Sequence, residues 1–254
     1  MKKKPVYLTF ASPKGGVGKT SITTITASYM HYKMGYNVAV VDCNFPSYPH
    51  SLLRDRELDL IVNNADVRDR VRNFYRATKM NSYKIVNSCI ESAIRDAEFV
   101  CKNNDIDLVL FDLPPLMMVD GASELLSKMN VVIVPTISDL VCVETTLRYV
   151  SALNDGVISQ GMAVGGVSSV HILKNMINHW GLGRASYADS RFSELVGVEV
   201  MEAEMPYTQF MQRQLAESPQ SYSISTLLAP TITKKECRQI SQMVEEVEQI
   251  ISKI

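Results

Sequence analysis

Apolar positions along the chain fall into short, nearly unbroken runs separated by longer amphipathic or polar stretches. The runs "VYLTFA", "NVAVVD", "YKIVNSC", "IDLVLFD", "NVVIVP" and "GGVSSVHIL" read as strands, and helices are expected from about Lys19 to Lys33 and from about Glu91. Strands that are apolar throughout, rather than alternating, need cover on both faces, which a parallel sheet flanked by helices provides. The pattern therefore predicts an α/β fold with a doubly wound, mostly parallel sheet and helices on both faces. With no internal repeat and no low-complexity linker, residues 1–254 are expected to form a single domain.

Two stretches depart from this rhythm. Residues 54–80 are densely charged, with seven Lys/Arg against five Asp/Glu, and read as a solvated helical excursion rather than a binding arm. Near the end, Val244, Val247, Ile250, Ile251 and Ile254 recur at helical spacing while Glu245, Glu246 and Glu248 take the polar side. That charge has the wrong sign for an anionic membrane, so core packing is the expected role of this helix.

Composition adds exclusions. A formal net charge of −1 supplies no global attraction to nucleic acid or acidic lipid. Five cysteines, Cys43, Cys89, Cys101, Cys142 and Cys237, are odd in number and lack any CxxC pair, which argues against a disulfide framework. The start "MKKKPVYLTFAS" has lysines before apolar residues like a signal peptide, but its apolar run is short and leads into a glycine loop, so it is read as a first strand. No run approaches membrane-spanning length, and a soluble, cytoplasmic protein is expected.

Chemistry concentrates in "TFASPKGGVGKTSIT". The common pattern G-x-x-x-x-G-K-[ST] is not met, because its first glycine would fall at Pro13. K-G-G-V-G-K-T nevertheless lies between an expected strand and an expected helix. Glycines let backbone N–H groups wrap a phosphate, and the helix N-terminus adds its dipole. Gly15, Gly16, Val17, Gly18, Lys19, Thr20 and Ser21 are the candidate nucleotide-binding residues, with Lys19 neutralising the β- and γ-phosphates and Thr20 offering its hydroxyl oxygen to Mg²⁺. Asp112, at the end of "DLVLFD" and before "LPP", is the expected second member of the magnesium shell.

With these motifs in order, the chain resembles the deviant Walker A ATPases of the ParA/MinD class. The likeness runs through residues 14–20, "VVDCNFP" at 40–46, "LVLFDLPP" at 108–115 and "VVIVPT" at 131–136. Within that class, "GYNVAVVDCNFPSYPHSL" resembles the ParA-like, TraA-type proteins of Bacteroides conjugative transposons. The resemblance implies a P-loop NTPase fold, ATP and Mg²⁺ as cofactors, and an ATP-dependent homodimer in which Lys14 reaches the phosphates held by the other subunit; the lesser alternative is that Lys14 is a solvated loop lysine.

In the family the second strand ends in Asp-x-Asp, whose first acid belongs to the magnesium neighbourhood and whose second positions or activates the attacking water. This chain has Asp42, Cys43, Asn44. An amide can accept a hydrogen bond from water but cannot take its proton, so hydrolysis is expected to be slow unless another group nearby assumes the role. Asp55 and Glu57 are not placed by the sequence. The resemblance also puts adenine near the end of the sixth strand and a proline-containing loop, which suggests Asn175 and Pro206; Asn178 competes with Asn175, and Pro206 could simply end a strand. His31, His50, His171 and His179 lack ligand spacing and are expected to pack or face solvent, and Trp180 is read as packing.

The function expected from these features is an ATP-dependent dimerisation switch in plasmid or conjugative-transposon partition or transfer. Non-specific DNA binding through Lys234, Lys235 and Arg238, or through Arg68, Arg70, Arg72 and Arg76, and a protein activator of ParB type fit that reading. The alternative is a nucleotide-gated scaffold with hydrolysis nearly lost at Asn44. A MinD-like membrane switch is disfavoured by the acidic last helix, and the reductase branch of the superfamily by the lack of a cysteine pair.

Overall fold

The computed structural model describes residues 4–115, 121–153, 169–177, 182–231 and 235–254. Asn178, His179, Trp180 and Lys234 lie outside the described residues, and the side chains of Lys235 and Cys237 are not described.

The strands are β1 (Val6–Phe10), β2 (Val38–Asp42), β3 (Lys84–Asn87), β4 (Leu108–Asp112), β5 (Val131–Thr136), β6 (Ser169–Lys174) and β7 (Glu199–Val200). They pair in the order β3-β2-β4-β1-β5-β6-β7, and every pairing is parallel. The helices are α1 (Lys19–Tyr32), α2 (Pro49–Asn63), α3 (Ala65–Thr78), α4 (Ala93–Asn103), α5 (Ala122–Ser127), α6 (Leu140–Ala152), α7 (Leu182–Phe192) and α8 (Lys235–Ser252).

The unbroken apolar strands are explained by two cores, one on each side of the sheet. Val6, Leu8, Phe10, Leu108 and Leu110 face one core with α1 and α8, while the intervening Val109 and Phe111 face the other with α4, α5 and α6. Successive side chains point to opposite faces, so a strand covered on both sides has no polar register. In α8, Val244, Val247, Ile250 and Ile251 are buried as their spacing requires. Ile254 is not; it follows the last helical turn and is 43 % exposed.

The charged stretch of 54–80 departs from its expectation. It belongs to two helices, broken where the Asn64 side chain accepts from Val67 N and caps α3. Their inner faces are not solvated: Val67 and Val71 pack with Leu215, Tyr222 and Leu228, and Glu57 is fully buried. Glu57 accepts from the Thr226 backbone N–H at 2.9 Å and from its hydroxyl, while Arg54 Nε donates to Thr226 Oγ1 at 2.6 Å. Arg70 lies over the Tyr222 ring and Arg72 bonds Asp69, so part of the positive charge is engaged within the fold. The helix expected from about Glu91 is α4, whose first helical residue is Ala93.

Connections leaving β1 and β4 run to opposite sides of the sheet, β1 to β2 on one side and β4 to β5 on the other. Such a reversal opens a crevice at the carboxyl ends of the central strands. The glycine loop enters there from β1.

Candidate functional site

The loop between β1 and α1 turns through two glycines with positive φ, Gly16 (+76°) and Gly18 (+85°), a conformation that other residues adopt only under strain. Gly18 is the N-cap of α1 with φ +85°, and a Cβ on it would meet Asn175 Nδ2 at 2.8 Å. No side chain caps this helix end. Its first N–H groups, which have no intrahelical partners, are therefore left for an anion. Gly15, Gly16, Gly18, Lys19, Thr20 and Ser21 line a cavity of about 270 Å³ with Asn44, Leu113 and Pro115.

Lys19 is 7 % exposed and folds back over the loop, where its Nζ donates to Lys14 O at 3.1 Å. Burial lowers its pKa and the Asp112 carboxylate opposes that shift. Lys14 behaves differently. It does not line the cavity; its half-exposed ammonium lies 3.9 Å from Asp139 Oδ1, on the residue that caps α6.

Behind the cavity sit two carboxylates. Asp42 and Asp112 are register partners at the ends of adjacent strands β2 and β4, and both are fully buried. Two buried acids this close must be offset by donors. Asp42 accepts from Asn44 N (3.1 Å), Asn44 Nδ2 (3.1 Å) and His50 N (2.9 Å). Asp112 Oδ2 accepts from the Thr20 hydroxyl (2.8 Å) and Asn44 Nδ2 (2.8 Å), and His50 Nε2 lies 3.1 Å away. The Asn44 amide thus bridges both acids and also lines the phosphate cavity.

Asp112 Oδ1 is buried without a hydrogen-bond partner. An unsatisfied anionic oxygen beside a threonine hydroxyl suits a hard divalent cation or its water shell. The residues present therefore fit Mg²⁺, with Thr20 and Asp112 nearest the cavity and Asp42 behind; the side chains of Asp42, His50 and Asp112 bring their ligand atoms within 4.8 Å of one another.

His50 corrects the sequence reading, which had it packing or facing solvent. It is fully buried in the first turn of α2, directly against both acids, with Nδ1 3.4 Å from Thr24 Oγ1. Its position eight residues after Asp42, at the start of a helix following that strand, is the signal that could have found it. His31 does pack, with each ring nitrogen 2.7 Å from a backbone carbonyl, those of Tyr36 and Asn81. Asn175 is buried at the end of β6, where its Nδ2 donates to Val17 O at 2.9 Å and so holds the loop. Pro206 is buried next to Met205, which bridges Asn175, so these two candidates lie together. Glu57 is engaged by Thr226, and Asp55 is exposed.

A glycine loop capping a helix, a buried lysine and threonine, and strand-end acids on a parallel sheet define a nucleotide-binding P-loop protein of the deviant Walker A class. The chain belongs to the CobQ/CobB/MinD/ParA nucleotide binding domain family, which matches residues 8–251. No curated protein sequence matches it significantly. Among solved structures it is similar to a Borrelia burgdorferi B31 protein assigned to plasmid partition and bound to AMPPNP (TM-score 0.61, 12 % identity, covering 99 % of this chain and 100 % of that one). It is also similar to a ParA family ATPase from Chlorobium tepidum (0.61, 15 %, 95 % and 98 %) and to MinD complexed with Mg-ADP from Pyrococcus horikoshii (0.58, 17 %, 98 % and 98 %). At these identities the likeness is one of fold. Among the described residues no helix is long and apolar enough to cross a membrane.

Proposed function

We propose that residues 1–254 act as a single ATP-dependent dimerisation switch of the ParA type, with slow Mg²⁺-dependent hydrolysis, in the partition or transfer of a plasmid or conjugative transposon of the TraA-bearing kind. The observation that carries this reading is the division of labour between the two lysines. Lys19 is buried over its own loop, whereas Lys14 lies outside that cavity in a half-exposed pairing with Asp139, from which a triphosphate held by a second subunit would draw it. A cation directed outward is useful where a partner's phosphates need more charge than one loop supplies.

Magnesium, when bound, supplies charge neutralisation for the triphosphate. Around it the chain's own groups divide the work. Loop amides and Lys19 would hold phosphate oxygens, and Thr20, Asp42 and Asp112 would hold the cation. Asn175 keeps the loop in shape beside Pro206, where adenine is proposed to lie. Asn44, which lines the cavity, would meet the phosphates as a neutral amide, able to orient water but not to take its proton. That deficit favours a second reading, a nucleotide-gated scaffold with hydrolysis nearly lost. Non-specific DNA binding and a ParB-type activator are proposed partners of the switch.

The test measures ADP production with Mg-ATP and, in parallel, mass in solution with a non-hydrolysable ATP analogue. Lys19→Ala should be inactive, and Lys14→Ala should bind nucleotide yet remain monomeric. Asn44→Asp should raise turnover by about 10²-fold or more, the scale of a restored general base. A Lys14→Ala protein that still dimerises would refute the switch. Ready turnover by the unmodified chain, little changed in Asn44→Asp, would remove Asn44 from the water-positioning role.

A further inference from the structure

His50 does not line the phosphate cavity, yet this one residue touches both strand-end acids, each through a different group. It is fully buried in the first turn of α2. Its backbone N–H, one of those that a helix N-terminus leaves without an intrahelical acceptor, donates to Asp42 Oδ2 at 2.9 Å. Its ring Nε2 lies 3.1 Å from Asp112 Oδ2.

The partners decide which nitrogen carries the proton. A carboxylate oxygen only accepts, so Nε2 is the donor toward Asp112 and has no lone pair to offer a metal ion. Nδ1 lies on the α1 side, 3.4 Å from Thr24 Oγ1, whose hydroxyl donates to Thr20 O at 2.9 Å. The imidazole is thus held between α1 and β4 as a donor to a carboxylate.

Asp112 needs such a donor. The last torsion of an aspartate is broad and roughly two-fold, so a carboxylate with few partners rotates and exchanges its oxygens. Here Oδ2 is committed to three donors, the Thr20 hydroxyl (2.8 Å), Asn44 Nδ2 (2.8 Å) and His50 Nε2, while Oδ1 has no partner. Asn44 Nδ2 is shared with Asp42, and the Thr20 hydroxyl is proposed for the cation itself. His50 Nε2 is the donor without a second duty. We propose that His50 is a positioning residue for the divalent cation, its Nε2–H fixing the Asp112 carboxylate so that Oδ1 is the oxygen left for the cation or its water. The proposal rests on reading the cavity as a magnesium-nucleotide site.

The test is a titration of the full chain with Mn²⁺, a paramagnetic stand-in for Mg²⁺, followed by electron paramagnetic resonance with ADP present. In His50→Gln the side-chain amide nitrogen reaches about as far as Nε2, and in His50→Asn only about as far as Nδ1. Both variants keep the backbone bond to Asp42. His50→Asn should bind Mn²⁺ about 10–100-fold more weakly than the unmodified chain, the scale for losing a partner that orients a metal-ligating group, whereas His50→Gln should stay within about threefold. A merely structural role would instead lower the melting temperature in EDTA and leave the Mn²⁺ affinity of the folded chain unchanged. Unchanged affinity in His50→Asn, or a loss of about tenfold or more in His50→Gln, would overturn the proposal and leave the nucleotide site standing. Hyperfine coupling of Mn²⁺ to an imidazole nitrogen would also overturn it, by making His50 a ligand. An unmodified chain that binds neither ADP nor Mn²⁺ would overturn the nucleotide reading and this proposal with it.

Discussion

Replacing Asn44 by Asp should make the folded chain depend on a divalent cation. The amide nitrogen of Asn44 now lies 2.8 Å from Asp112 Oδ2 and 3.1 Å from Asp42 Oδ1, donating to both. A carboxylate oxygen at the same place turns two attractions into two repulsions. Charges about 4 Å apart at an effective dielectric constant of about 20 interact by about 4 kcal/mol, so the unrelaxed penalty is about 8 kcal/mol. Asn44 also borders the phosphate cavity, and rotation toward it relieves much of that strain. A residual loss of about 2–4 kcal/mol is the scale expected of an unbalanced buried charge. At about 2–4 °C per kcal/mol for a chain of this size, Asn44→Asp should melt about 10 °C below the unmodified protein in EDTA. Magnesium should restore most of the difference, while shifting the unmodified protein little. The assay is a thermal melt followed by circular dichroism with and without Mg²⁺. If the variant melts within about 2 °C of the unmodified protein in EDTA, the amide does not offset the two acids and the reasoning fails.

Two further outcomes follow from buried groups elsewhere. Desolvation pushes the Glu57 carboxyl up to about 7 despite its hydrogen bonds from Thr226, so the folded state holds a proton that the unfolded chain releases near 4.5. The contribution is fully present below pH 4.5 and is lost as pH rises through 7, so stability should fall across that window by up to about 3 kcal/mol. Denaturant melts of Glu57→Gln should lack this slope; an unchanged slope would assign it to other groups. Gly18→Ala forces a Cβ to within 2.8 Å of Asn175 Nδ2 at φ +85°, which should cost about 1–3 kcal/mol and weaken binding of a fluorescent ATP analogue. Unaltered melting and binding would show that the loop does not need this backbone geometry.

What could be seen in the sequence was set by local pattern. β1, β2, β4 and β5 announce themselves because burial on both faces demands unbroken apolar runs, and the loop because close backbone approach to phosphate demands glycine at fixed positions. Asp112 was legible as a strand-end acid and Asp42 through the family resemblance, whereas their side-by-side register is set by the strand order. His50 was not, because its neighbours Asp112 and Thr24 are brought to it only by the order of strands in the sheet and the packing of α1. Glu57 was hidden for a similar reason, since its donor lies 169 residues away at Thr226. β7, at two residues, is too short to show any period. Charge density misled at 54–80, where long-range partners neutralise side chains that local composition assigns to solvent.

Helix α2 gives these two hidden residues a common geometry. His50 stands at its first turn against the acids, and Arg54 and Glu57 follow on the same face, gripping Thr226 and the carbonyl of Tyr83. Seven residues of helix span about 10 Å, with no glycine or proline between His50 and Glu57 to absorb motion. The helix is a stiff strut joining the end of the sheet that carries Asp42 and Asp112 to the segment around residue 226. A tilt imposed at one end must be matched at the other or resisted by it, so the segment around Thr226, remote in sequence from the glycine loop and the two strand-end acids, bears mechanically on the site.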